Sequence, residues 1–351
     1  MGDAASRALC LRLVFAEPGG DLPEPPYNAD PEGMGPKSRG SRQGGACVSV
    51  QIRAFVAAFG RGFLLVLVAM AAAPAQEGGD AEEVRIEDNS FLIEEAYNQP
   101  QGVVQHIFNF VPAWENGPTR QRTFDFVFTQ EWPLGSERHQ FSYTIPMVAM
   151  REWTPGGPAA DARGWGDVLL NYRLQVWDGK GHLPMFSPRF SLIFPTGEEE
   201  RGIGLGKLGY QVNLPFTKVF DRWVAHFNAG ATATPGVTAG VNPAIGFRGN
   251  TINGYNLGAS AIYVLRPNFH LMLESICLWD EQLNVDGSPS QLVEAIVSPG
   301  FRWASYTEGD TQVVLGLGVP IGVSPDAPDI AAFFYMSFEH RVRRKREPDA
   351  E

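Results

Sequence analysis

Cysteine is nearly absent from this chain, and an apolar run long enough to cross a bilayer as a helix is absent altogether. Three cysteines occur in 351 residues: Cys10, Cys47 and Cys277. Beyond residue 75 only Cys277 is left, which excludes an internal disulfide there, and no Cys/His spacing suggests zinc. No metal ligand set and no cofactor motif stand out. Positive charge is also scarce. Of 28 Lys/Arg and 39 Asp/Glu, seven and six lie in the first 75 residues, so the remainder carries 21 and 33, a net charge of −12. Nucleic-acid binding needs clustered Lys/Arg on phosphates, so no nucleic-acid partner is expected. The longest apolar run, Phe63 to Ala73, falls well short of the roughly 20 residues a membrane helix requires.

That run is informative through its flanks. Arg53 and Arg61 precede it, and Ala73-Pro74-Ala75 with Gln76 follows. A charged lead, a short apolar stretch and small residues before a break make a cleaved signal peptide over 51–75. The competing reading is a buried apolar segment of a folded domain. Residues 1–50, rich in Gly, Pro and Arg without periodicity, are expected to be non-native or disordered. A signal so deep in the chain is most simply explained by a start assigned too far upstream. Residues after Ala75 are therefore read as exported.

From residue 101 onward helical periodicity is missing and period two dominates. Trp223, Ala225, Phe227, Ala229 and Ala231 share one face, while Val224, His226, Asn228, Gly230 and Thr232 share the other. Phe124, Phe126 and Phe128 alternate with Thr123, Asp125, Val127 and Thr129. About twelve such segments are expected, near 101–110, 121–132, 137–150, 166–178, 184–195, 206–219, 222–234, 252–265, 268–280, 290–303, 310–321 and 328–342. Strict alternation gives each strand one apolar and one polar face. Strands of about nine to eleven residues suit a tilted bilayer crossing, whereas globular strands average about five or six.

Connection lengths alternate too. The even-numbered ones are short, as at Pro133–Ser136, Phe220-Asp221 and Arg266-Pro267, and most of the others are long, at 111–120, 151–165, 196–205, 235–251 and 281–289. Trp114, Trp132, Trp153, Trp165, Trp177, Trp223, Trp279 and Trp303 fall at or just beyond strand ends, where aromatic girdles sit. Together these predict an all-β fold: a transmembrane, antiparallel, up-and-down β-barrel of about twelve strands over 101–342, with tight turns on one side and loops on the other. Residues 76–100 are expected to form a periplasmic lead-in, with one helix over Asp88–Gln99 capped by Asn89 or Ser90; folding of this segment into the lumen as a plug is the alternative. Residues 343–351 form a charged tail. The last strand carries Phe334, Met336 and Phe338 in alternation, and Phe338 stands where the aromatic signal read by barrel-assembly machinery is expected.

Gly164-Trp165-Gly166-Asp167-Val168, followed by Pro188 to Ile193 and Phe194-Pro195-Thr196-Gly197, resembles the outer-membrane family named for the meta-pathway of phenol degradation. Gly166, Asp167, Pro195, Thr196 and Gly197 occupy its motif positions. The resemblance implies a bacterial outer-membrane barrel and passage of small hydrophobic or aromatic compounds.

If the apolar face meets lipid, the polar face lines the lumen. Asp125, Arg173, Arg189, His226, Asn228, Glu274, Glu294 and Arg302 fall on it and are the lumen-lining candidates. They either line a solute path or pair across the barrel and hold it shut. Twelve strands predict a narrow interior, between the filled eight-stranded and the open sixteen-stranded barrels. A lipid-modifying enzyme would need a Ser–His pair two apart on one strand; position 228, two after His226, is Asn, so no catalytic residue is assigned. Glu198-Glu199-Glu200 reads as a solvated acidic loop, with cation bridging to lipopolysaccharide as the alternative. Arg341 to Arg346 read as a solvated tail, or one touching lipid headgroups. Gly202, Gly204 and Gly206 lack the following helix that a phosphate loop requires. Expected partners are outer-membrane lipid, lipopolysaccharide, the assembly machinery and a small solute. The expected function is a solute channel or transporter, with a closed structural or adhesive barrel as the alternative.

Overall fold

The computed structural model describes residues 86–307 and 311–342. They form one continuous antiparallel sheet of twelve strands closed on itself. The strands are β1 (Val103–Asn116), β2 (Arg120–Leu134) and β3 (Ser136–Trp153). Next come β4 (Ala159–Trp165 and Val168–Leu174), β5 (Met185–Phe186 and Arg189–Phe194) and β6 (Gly209–Phe220). They are followed by β7 (Trp223–Val237), β8 (Asn250–Arg266) and β9 (Phe269–Leu283). The last three are β10 (Pro289–Thr307), β11 (Thr311–Gly318 and Ile321–Gly322) and β12 (Ile330–Ala331 and Phe333–Arg341). Closure comes from β1, which pairs with β2 on one edge and β12 on the other, from Val103 opposite Arg341 to Phe110 opposite Phe334. A closed sheet leaves no row of unpaired backbone groups, the condition for placing strands in hydrocarbon. The twelve expected segments coincide with these strands, and the final strand stands where the alternation put it.

Several expected loops are shorter than predicted. Strand β1 runs on to Asn116 and β3 to Trp153, so residues 117–119 and 154–158 are all that is left between neighbours. Apolar alternation fades toward the strand ends, but hairpin pairing continues: Asn116 stays opposite Arg120, and Trp153 opposite both Arg120 and Ala159. The loops that remain long are 195–208 and 238–249. On the opposite side most turns are tight; the exception is 175–184 between β4 and β5, where Trp177–Asp178 pairs with Met185–Phe186 and a longer connection than the expected Asp178–Gly181 turn remains. Asp221 makes the β6–β7 turn at φ 48°, a left-handed conformation that Asp tolerates because its short side chain can hydrogen-bond locally.

Side chains sort by face as the alternation requires. Leu271 and Leu273 on β9 are 44% and 54% exposed, while the intervening Met272 and the following Glu274 are buried. Phe110, Phe124, Tyr172, Phe190, Val212, Phe301 and Phe334 extend this exposed apolar band.

Residues 86–99 correct the lead-in expectation. They form no helix, and Ile86, Phe91, Leu92, Ile93, Glu94 and Ala96 are almost completely buried. Their apolar side chains share one cluster with the inward-facing Ile262, Ile276, Ile296, Val314, Phe333 and Tyr335. The segment therefore lies inside the barrel, which is the plug alternative. The reason for the missing helix lies in where its amides go. Leu92 and Ile93 N–H donate to the Glu274 carboxylate at 3.0 and 3.3 Å, Glu94 N–H to Asn228 Oδ1 at 2.7 Å, Ala96 N–H to Thr217 Oγ1 at 2.9 Å, and Gln99 N–H to Gln140 Oε1 at 2.7 Å. Wall side chains take the donors that an i→i−4 ladder would have used. The expected signal peptide at 51–75, the rest of residues 1–85 and the tail at 343–351 lie outside the described residues.

Candidate functional site

The candidate site is the lumen where residues 86–99 dock. Strand β12 presents Tyr335 and Ser337 inward, and both hydroxyls donate to Asp88, at 2.6 and 2.5 Å; Gln105 Nε2 on β1 adds a third donor at 2.7 Å. From β10, the Arg302 guanidinium forks onto the backbone carbonyls of Asp88 at 2.5 Å, Asn89 at 3.0 Å and Ile86 at 2.9 Å. Ser90 and Ser260 hydroxyls meet at 2.9 Å.

Next along the segment, the Phe91 ring stacks on Phe333 at 5.3 Å between centroids and lies 5.5 Å from Tyr335. Its floor is glycine. A Cβ on Gly300 or Gly318 would come within 3.0 or 2.9 Å of the ring, and one on Gly316 would come closer still. Ile93 is seated in the same way against Gly258. These inward glycines are absent side chains whose volume the segment fills.

Glu94 is the electrostatic centre. Arg189 Nε lies 3.0 and 2.9 Å from its two oxygens, Arg173 Nη2 lies at 2.8 Å, and Asn213 Nδ2 at 2.6 Å. Arg173 also pairs with Glu95 at 3.1 Å. Burial raises the Glu94 carboxyl, and the Arg189 and Arg173 guanidiniums beside it, with the Asn213 hydrogen bond, pull it down. Arg189 is fixed from the wall side by Asn171 Oδ1 at 3.2 Å, Gln211 Oε1 at 2.9 Å and the Ser191 hydroxyl.

All eight residues singled out on the polar face are buried in the barrel. Arg173, Arg189, Asn228, Glu274 and Arg302 converge on the segment. His226 hydrogen-bonds Thr217 at 2.8 Å through Nδ1 and meets the Tyr97 ring edge-on at 6.1 Å. Asp125 has neither carboxylate oxygen hydrogen-bonded among the described residues. Glu294 lines a shallow recess, too small for more than a single water, with Ala113, Gln121 and Thr123. Sequence reasoning missed Asp88, Phe91, Glu94 and the glycine floor. The available signal was an excess of inward arginines over inward acids near β4 and β5, beside an adjacent Glu pair just ahead of the first strand.

The five motif positions also meet. Asp167 Oδ1 accepts the Gly197 amide at 2.9 Å and Oδ2 that of Leu205 at 3.2 Å. Thr196 Oγ1 donates to Gly166 O at 3.0 Å and accepts Val168 N–H at 2.9 Å, with Pro195 leading into the clasp. Gly204 holds φ +126°, and a Cβ there would strike Asp167. This clasp ties loop 195–208 to β4. The acidic run in that loop is largely exposed, with Glu198 paired to Arg201 at 3.0 Å.

Comparison with known proteins agrees with this geometry. The model of the family described as "Putative MetA-pathway of phenol degradation" matches residues 116–235, which hold the whole clasp. Among solved structures, an outer membrane channel from Pseudomonas putida F1 superposes with a TM-score of 0.53 at 12% identity, over 70% of this chain and 97% of that one. The β domain of the Bordetella autotransporter BrkA gives 0.41 at 13% identity, over 69% and 100%. A Pseudomonas aeruginosa FadL homologue gives 0.33 at 9% identity, over 69% and 89%. No curated protein matches the chain. This chain has the fold of the bacterial outer-membrane β-barrels and carries, over residues 116–235, the sequence pattern of the phenol-degradation family.

Proposed function

We propose that this protein is a plugged outer-membrane channel, exported by a cleaved signal peptide, through which small solutes pass when residues 86–99 move aside. One observation carries the reading. The seal is a separate stretch of chain bound to the wall through polar contacts: the Arg302 fork, the Asp88 triad and the Glu94 ion pairs. A barrel built only to be closed can fill its lumen with its own inward side chains. Here inward glycines at 258, 300, 316 and 318 leave that space to a segment that, among the described residues, is covalently continuous with the wall at β1. Hydrophobic or aromatic solutes are the class that the family description suggests.

A second reading, a permanently closed structural barrel, draws support from the density of that same network. Planar-bilayer conductance and liposome swelling with sugars, amino acids and phenolic acids separate the two. The channel reading expects current or swelling for at least one solute class. Silence throughout favours the closed barrel.

A further inference from the structure

We infer that the socket now filled by Glu94 is a binding site for the carboxylate of the transported solute. The proposal rests on the gated-channel reading and names the solute class. Three wall residues, Arg173 on β4, Arg189 on β5 and Asn213 on β6, aim four hydrogen bonds at one planar carboxylate. Arg189, which meets both oxygens, is oriented by the wall residues Asn171, Ser191 and Gln211, none of which is part of the plug, whereas the remaining hydrogen-bond partners of Arg173 are Glu95 and the Tyr97 carbonyl within it. Glu94 occupies the socket.

Withdrawing the segment removes Glu94, and Glu95 with it, from two guanidiniums that are almost fully buried. With the segment withdrawn, both guanidiniums face the open lumen without their acids, and a solute carboxylate can take up the same charge-assisted hydrogen bonds. Chloride lacks the two-oxygen geometry that Arg189 Nε spans, and a neutral amide lacks the charge. Beside the socket, Asn213 Nδ2 reaches Asn228, and Asn228 stands opposite Gly258, against which Ile93 is seated; the space Ile93 vacates is floored by glycine and accepts an apolar tail. The geometry therefore points to small monocarboxylates with an apolar body.

The test has two arms. In the first, Glu94→Ala in the full chain empties the socket while leaving the segment present. Formate and acetate should raise the thermal unfolding midpoint of that barrel above the value in equimolar chloride. They should leave wild type unmoved and lose their effect in Glu94→Ala with Arg189→Gln. In the second arm, which does not depend on that variant folding, wild-type proteoliposomes should show saturable benzoate flux that benzamide does not compete. The half-saturating concentration should rise at least about tenfold in Arg189→Gln, the loss of a charge-assisted hydrogen bond. Equal protection by chloride, equal competition by benzamide, or unchanged affinity in Arg189→Gln overturns the site. Carboxylate protection in the first arm with no flux of any solute in the second overturns the transport reading instead and leaves the socket's chemistry standing.

Discussion

Removing the Phe91 ring should undock the plug without unfolding the barrel. The ring is 1% exposed, stacks on Phe333, lies tilted against Tyr335, and sits on three glycines that cannot collapse into the space it leaves. Truncating a buried Phe to Ala costs about 3–5 kcal/mol, with the high end where the site cannot relax. The whole of that cost falls on the docked state, because the undocked segment leaves the ring in water in either case. The undocked population should therefore rise by a factor of roughly 10² to 4 × 10³. Hydrogen exchange reads this directly, since the Leu92, Ile93, Glu94 and Ala96 amides donate to wall side chains and exchange when the segment leaves. Their protection should fall by that factor in Phe91→Ala, while amides in β7 to β9 keep theirs. Gly316→Val should expel the ring from the other side, and combining it with Phe91→Ala should be milder than the two costs added, because each relieves the other's misfit. Unchanged protection at residues 92–96 would refute the reasoning, as would a loss spread evenly over the strands.

Other consequences follow from register and from the clasp. Leu271→Arg should cost about 2–4 kcal/mol of barrel stability at a lipid-facing position and reduce the folded, heat-modifiable fraction far more than Glu274→Gln; equal tolerance would place the register one residue off. Asp167→Asn weakens two hydrogen bonds from loop amides to a charged acceptor, about 1–3 kcal/mol, so proteolysis should begin within 195–208 while the barrel stays folded. Mature protein taken from membranes should begin at Gln76 or within a few residues of it; an N-terminal sequence from the Gly/Pro-rich stretch would contradict the export reading.

The strands were legible because a closed sheet between lipid and a polar interior forces period two on every crossing. One alternation, Trp223 to Thr232, already separates the outer face from the inner one that carries His226 and Asn228. The inward charges were legible for the same reason. Their partners were not. Residues 86–99 satisfy their backbone through Glu274, Asn228, Thr217 and Gln140, which lie 41 to 182 positions away in the chain, so no local periodicity marks them. A run such as Phe91-Leu92-Ile93-Glu94-Glu95 reads as helix on local preference, and tertiary contacts override that preference. The loop lengths were overestimated because hairpin pairing outlasts the apolar pattern, as at Asn116 and Arg120. The motif residues were recognisable in sequence, but only the fold shows that Asp167 and Gly197 meet.

The central claim is that the segment 86–99 is a movable seal, and the Ser90–Ser260 pair offers the most direct test. Their hydroxyls are 2.9 Å apart, so cysteines at these two positions face each other across the contact between segment and wall. Single-channel current should be recorded from Ser90→Cys with Ser260→Cys, in a Cys277→Ser background, first oxidised and then reduced in the same bilayer. The account predicts silence with the bond closed and opening events when reductant is added, with the reduced protein matching wild type. Equal current in both states would show that the segment does not gate the path, and silence in both, with wild type silent too, would leave a closed barrel.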